Sequence, residues 1–325
     1  MCAWMDGRRL IYPRLAALRA RGGVDLFPNL RSVVCFLSEP GLGKEKLLPS
    51  SLQSLTSFAM GYIQDEEGHT NTLVQLASHA PLLEQLSLRG LFRSLVTGPV
   101  QPLRLAYLRE VDLTRASISY RNFQYLCGVL CEAPIMELSI HLKQPLVEWP
   151  SLPPIFPVLR RLTFCGDPLI AHDFLERLPN STLVEFIIEH EDSMIQLGAY
   201  ESLLGFLNER FSDSLHSVHL NFGRQPMEVP HHYFIAHTLM ALIPLVEGGL
   251  EELRYSMPVM VESLPEELQR VLDPSMWPTL RVFSFSTRSP RCSDRELEER
   301  MKIWGPMLTS FQLVQTGDAF GGNDL

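Results

Sequence analysis

An α/β solenoid is the fold class this sequence predicts, with a curved parallel sheet, helices along its convex side and about a dozen irregular repeats. Three observations predict it. A short pattern, clearest in Phe156-Pro157-Val158-Leu159-Arg160-Arg161-Leu162-Thr163-Phe164, recurs along the chain. Its second half alternates apolar and polar residues, as an extended segment with one buried face must. Between the copies lie apolar residues at helical spacing.

The copies begin at Tyr12, Phe27, Leu48, Ala80, Ala106, Ala133, Phe156, Ser181, Ser214, Gly249, Trp277 and Gly305. Their leading apolar residues are Leu15, Leu30, Leu52, Leu83, Leu108, Ile135, Leu159, Leu183, Leu215, Leu250, Leu280 and Leu308. The intervals average roughly 27 residues, against roughly 20–29 for strand-plus-helix repeats, and they lengthen after Leu183 and Leu215. In the copy from Phe156, Leu162 and Phe164 are expected on the core face, and Arg161, Thr163 and Cys165 on the other. Proline precedes many of the leading leucines, as at Pro81, Pro157 and Pro278. It lacks an N–H, so it suits the turn into a strand better than the strand itself.

Helical spacing links the strands. Leu73, Leu76, Ala77 and Ala80 share one face, as do Phe123, Leu126, Cys127 and Leu130, and Leu203, Leu204, Leu207 and Phe211. Further stripes run through Leu264, Leu268, Val271 and Leu272, and through Leu297, Met301 and Trp304. Ser263–Glu266 and Ser293–Glu296 read as capping boxes at the starts of those two helices. An ordinary parallel α/β domain would have strands apolar on both faces. Here Glu110, Asp112 and Thr114 alternate with Val111 and Leu113. No linker or low-complexity tract splits residues 1–316, which are read as one solenoid, and residues 317–325 are expected to be a disordered polar tail.

Composition narrows the partners. The 325 residues carry 28 basic against 37 acidic side chains, a net charge of -9. A basic excess is the footprint of nucleic-acid or acidic-lipid binding, so neither partner is expected. The six cysteines are scattered, as in a reduced compartment. The amino terminus has no apolar signal core, and the most apolar window, Tyr233 to Val246, is too short to cross a bilayer. The expected location is the cytoplasm or nucleus.

The strand signature, with its alanine- or proline-led turns, resembles the divergent leucine-rich repeats of fungal-type F-box proteins from about Tyr12 to Leu313. In that family an F-box precedes the repeats and docks on the Skp-type adaptor of a cullin ubiquitin ligase, and the repeats hold the protein to be ubiquitylated. The resemblance therefore implies a substrate receptor that binds a protein on its concave face. The first copy leads with Leu15, which leaves no room for an F-box ahead of it, so adaptor and cullin are expected partners only if an F-box is supplied upstream. The family's asparagine after the strand is replaced by Leu91, Ala116, Lys143 and Pro168, which implies irregular curvature. The alternative is a repeat scaffold with no link to ubiquitylation.

Candidate chemistry is sparse. Ser38 to Glu45 contains a Gly-Lys pair but lacks the first glycine and the final hydroxyl of a phosphate loop, and reads as a flexible loop. His231, His232 and His237 lie near Glu228 without a converging further ligand, the first two on a surface turn and the third on the following helix. Cys127 and Cys131, at i and i+4, fit one helix face, and core packing is expected for at least one of them. Glu189, His190, Glu191 and Asp192 are placed on a solvated turn just past the strand. No nucleophile, base and orienting group assemble, so no catalytic, metal or cofactor site is expected and the chain is read as a non-enzyme. The positive candidate is the polar strand face: Arg89, Glu110, Asp112, Glu137, His141, Arg161, Glu185, Glu189, His219, Asn221 and Arg254. Its acidic members favour a partner that presents a basic patch.

Overall fold

A computed structural model describes residues 2–6, 29–36, 52–61, 73, 76–92, 102–118, 120–143, 155–179, 182–191, 194–223, 226–257, 270–271, 273–287 and 310–311. The chain divides into two compact units, Met1–Leu159 with Arg177–Pro179, and Arg160–Glu176 with Asn180–Leu325. Each is an α/β unit built on parallel strands.

The first unit holds β1 (Cys2–Asp6), β2 (Ser32–Phe36), β3 (Ser57–Gly61), β4 (Gln85–Leu88), β5 (Gly90–Phe92), β6 (Glu110–Leu113), β7 (Ala116–Ile118), helix α1 (Tyr120–Leu130) and β8 (Glu137–Leu142). Its main ladder runs β1-β2-β3-β4-β6-β8, parallel throughout. A second small parallel ladder joins β5 to β7. The second unit holds β9 (Arg161–Gly166), α2 (Pro168–Leu175), β10 (Glu185–His190), α3 (Leu197–Phe211), β11 (Ser217–Phe222), α4 (His231–Glu247), β12 (Glu252–Met257), a 3-10 turn (Pro274–Met276), β13 (Val282–Thr287) and β14 (Ser310–Phe311). Its ladder runs β9-β10-β11-β12-β13-β14, again parallel.

Register turns the alternation of each strand into rows across the sheet. Val33, Phe58, Leu86, Val111 and Leu138 are consecutive partners in the first unit, and all are buried. Leu162, Phe186, Val218, Leu253 and Phe283 do the same in the second. A one-residue slip would carry a whole strand's apolar set to solvent. Each such side chain contributes about 1.5–3 kcal/mol by leaving water, so register and burial enforce one another.

The residue before each strand fastens the next one. The carbonyl of Thr56 accepts from both Glu84 N and Gln85 N, at 2.8 and 2.9 Å, and that of Glu84 accepts from Arg109 N and Glu110 N, at 2.9 and 3.0 Å. Arg160, Val184, His216 and Glu251 repeat the arrangement in the second unit. Ahead of it, a tight turn buries the leading residue, with Leu83 N bonded to Ala80 O at 3.2 Å and Leu159 N to Phe156 O at 3.1 Å. In the copy from Leu48 that turn is closed by Leu55 N on Leu52 O, at 2.9 Å. Leu55 is thus the leading residue there, and Leu52 holds the place of Ala80. Both leucines are buried and lie three apart, which is why the spacing alone misassigned them.

From Phe27 onward every copy ends in one of these strands. The copy from Tyr12 lies outside the described residues, and the strand beside β2 is Cys2–Asp6, which carries no such pattern. Residues 76–79 are helical, α1 buries Phe123, Leu126, Cys127 and Leu130, and α3 buries Leu203, Leu204, Leu207 and Phe211. The capping boxes, the loop from Ser38 and the tail from Gly317 lie outside the described residues. Sequence spacing missed α2, although Asp167-Pro168 announces it. The Asp167 carboxylate caps Leu169 N at 2.8 Å, and proline suits the first helical position.

In the second unit the helices cover the apolar side of the sheet. Phe174 of α2 faces Phe164, with ring centroids 6.4 Å apart. Tyr200 of α3 and Phe234 of α4 meet Phe222 at 5.0 and 5.2 Å, and Tyr255 lies 5.1 Å from the same ring. Among the described residues no helix is long and apolar enough to cross a membrane.

Candidate functional site

The face of each ladder opposite its buried rows carries the candidate side chains. All eleven predicted residues are half-buried or exposed, on a strand or, for Arg89, just past one.

In the first unit Gln85, Glu110 and Glu137 form one row and Ser87, Asp112 and Ser139 the next. Gln85 donates Nε2 to Glu110 Oε2 at 2.8 Å, and Ser87 Oγ donates to Asp112 Oδ2 at 3.2 Å. The other Asp112 oxygen accepts from Thr114 N and Oγ1, at 3.0 and 2.7 Å. These carboxylates are therefore held by neutral donors. Arg89 is half-buried, and its Nε is shielded from solvent without a hydrogen-bond partner among the described residues. His141 is half-buried on β8.

The second unit differs. Arg161 pairs with Glu185 across β9 and β10, and Arg254 Nε pairs with Glu252 Oε1 at 2.6 Å. Between them stands His219. Its Nε2 lies 3.1 Å from Ser217 Oγ, 3.6 Å from Glu252 Oε1 and 4.0 Å from Glu185 Oε1. Burial does most to hold the His219 imidazole below its ordinary pKa, and the Arg254 guanidinium adds to it, while the two carboxylates pull the other way. Hence two arginines and two glutamates, with His219 between them, are spread over four strands. Further along, Glu189 Oε2 accepts from the Cys165 thiol at 3.3 Å, and Asn221 sits beside Glu189 in register.

Two sequence-level placements change. His190 is not on a solvated turn: β10 continues through it and its ring is buried, with Nδ1 3.0 Å from the Tyr200 hydroxyl. Burial pushes the Tyr200 hydroxyl well above its ordinary pKa, with Tyr255 and Asp167 adding to the rise, so the hydroxyl keeps its proton beside the His190 ring. His231 and His232 are not on a turn either, but open the first turn of α4. His237 turns to Glu201, with Nδ1 3.2 Å from Oε1, and stacks on Tyr233 at 4.0 Å.

The described residues hold one group with metal-ligating spacing, which the sequence reading did not weigh. His172, Asp173 and Glu176 place ligand atoms within 4.8 Å of one another at the end of α2. The His172 ring stacks on Phe206 at 4.5 Å, and Arg210 Nη1 donates to the Glu176 carbonyl at 2.9 Å. That guanidinium brings a fixed positive charge to the same helix end, which opposes a cation there. Cys127 is buried and its thiol is pushed well up, first by burial and then by Cys131. Such a thiol is a packing group and not a nucleophile.

No protein-family model matches the chain, and its sequence matches no curated protein.

Proposed function

We propose that the chain is a protein-recognition module of about twelve leucine-rich repeats, resembling the substrate receptors of F-box ubiquitin ligases, and that it works in the cytoplasm or nucleus. The observation that carries this reading is the set of in-register polar rows that each sheet leaves on the face opposite its buried rows. Strands about 4.8 Å apart set side chains at a spacing suited to a macromolecular surface rather than a closed pocket. Glu110 and Asp112, whose donors are neutral, supply the acidic part of that surface and favour a partner with a basic patch. Catalysis is left to other subunits, and a Skp-type adaptor and cullin join only through an F-box supplied upstream.

Quantitative affinity capture tests this with the full chain, a variant carrying Glu110→Lys, Asp112→Lys and Glu137→Lys, and a control carrying Glu209→Lys on the exposed side of α3. The expected result is a specific set of proteins lost from the face variant and kept by the control. Capture that ignores the face variant refutes the surface assignment. Partners lost without any adaptor, even with an F-box-bearing transcript, leave the scaffold reading in place of the ubiquitin one.

A further inference from the structure

In the second unit one carboxylate oxygen lies between a permanent cation and a potential one. Glu252 Oε1 lies 2.6 Å from Arg254 Nε and 3.6 Å from His219 Nε2. Glu185 is arranged differently, with Oε2 given to Arg161 and Oε1 turned to His219 at 4.0 Å. A neutral imidazole leaves Glu252 to Arg254. An imidazolium competes for the same atom, from a position about a quarter as exposed to water. The side chain of His219 is 15% accessible and that of Arg254 is 58%, so screening weakens the arginine's hold more.

We propose that His219 is a proton-operated clasp: when protonated it bridges Glu185 on β10 and Glu252 on β12, releases Arg254 to solvent, and changes the charge of the second unit's polar face. The five groups Arg161, Glu185, His219, Glu252 and Arg254 then pass from balanced to a net positive charge. The other titratable groups on the packed strands are the Cys165 thiol on β9 and Glu189 on β10, which bond each other at 3.3 Å, and His190 on β10 and Tyr255 on β12, which are buried against helix residues Tyr200 and Thr238 on the other side of the sheet. On β13 the register sets Val282 beside Glu252 and Ser284 beside Arg254, neither of them titratable in this range. Among the described residues, α2, α3 and α4 lie against the apolar side of the sheet, and the charges acting on His219 come from Arg254, Glu252 and Glu185.

As a control on recognition, this rests on the reading that the polar face binds protein; as a switch, it stands on the geometry alone. Because His219 is held below its ordinary pKa, the clasp closes only in acid, and the face keeps its balanced form at neutral pH.

The test is a proton-resolved titration of the whole chain by NMR, following the His219 ring and the Arg254 side-chain N–H together. The expected result is one shared midpoint for both signals, with the Arg254 response abolished in His219→Gln. In Glu252→Gln, His219 still titrates while Arg254 no longer follows. An Arg254 signal that stays still while His219 titrates overturns the proposal, and so does an Arg254 response that survives in His219→Gln. Neither outcome depends on a partner, so a failed affinity capture and a failed clasp are separate results.

Discussion

Phe186 and Ile187 are neighbours in one strand, and replacing each by alanine should give very different costs. Phe186 is fully buried between Leu162 and Val218 of the adjoining strands. Ile187 is half-buried on the opposite face, between Thr163 and His219. Truncating a core phenylalanine removes its transfer free energy and leaves a cavity, about 3–5 kcal/mol together. At Ile187 no cavity is enclosed and only part of the side chain's burial is lost, about 1 kcal/mol or less. With a urea slope of about 3 kcal/mol per molar, Phe186→Ala should lower the unfolding midpoint by about 1 M or more, and Ile187→Ala by about 0.3 M. Urea titration by circular dichroism measures both against the parent, with equal slopes required for the comparison. Equal midpoint losses at the two sites would refute the alternation on which the buried rows and the polar face both depend.

Thr238 offers a second test inside the core. Its hydroxyl lies 2.9 Å from Phe234 O, 3.1 Å from Ile235 O and 3.0 Å from the Tyr255 hydroxyl. Since carbonyls only accept, Tyr255 must donate to Thr238, and Thr238→Val should cost about 1–3 kcal/mol by removing the acceptor of that buried hydrogen bond. Adding Tyr255→Phe should recover part of that loss, which a thermal-unfolding double-mutant cycle will measure. Around His219 the charges act with opposite signs: Arg254→Gln should raise its titration midpoint and Glu252→Gln should lower it, read from the ring proton shifts. The folded-state pKa of His219 lies below its unfolded value, so its contribution to stability is present above the ordinary histidine range and is lost as pH falls through the folded pKa. His219→Gln should remove that part of the acid-side loss. Finally, Cys127 should resist alkylation in the native protein while half-buried Cys131 reacts, as mass spectrometry of the labelled peptides will show.

The buried rows were legible because one face of each strand must be apolar: Leu162, Phe164, Phe186 and Ile188 alternate plainly, and the leading leucines mark the turns. Other features left a signal that spacing alone could not rank. Leu52 and Leu55 both fit the leading place, and only the turn bond between them decides. Asp167-Pro168 was open to reading as a cap but sat where the repeat pattern sought an asparagine. His190 looked like part of an acidic surface turn because its neighbours Glu189 and Glu191 are charged. Its inward place follows from strand length, since β10 runs two residues beyond Ile188. Cys2–Asp6 and the β5–β7 ladder carry no pattern to find; partner strands hold them, not local preference.

The charge network shows why a list of outward residues is not yet a site. Arg161, Glu185, His219 and Arg254 were all predicted to face outward, but which carboxylate meets which cation depends on register between strands separated by unequal stretches. Arg161 and Glu185 are 24 residues apart, and His237, on a helix, reaches Glu201 from 36 residues away. Register also makes the two units unlike. Glu110 and Asp112 accept from Gln85, Ser87 and Thr114, so those bonds leave their negative charge in place. Glu185 and Glu252 sit against arginines, so theirs is largely cancelled. A long-range field survives only where charge is not cancelled locally. On the proposed reading, attraction of a basic partner therefore belongs to the first unit and should weaken with salt, whereas the second unit's face is set by its ion pairs and, in the proposed clasp, by the proton on His219.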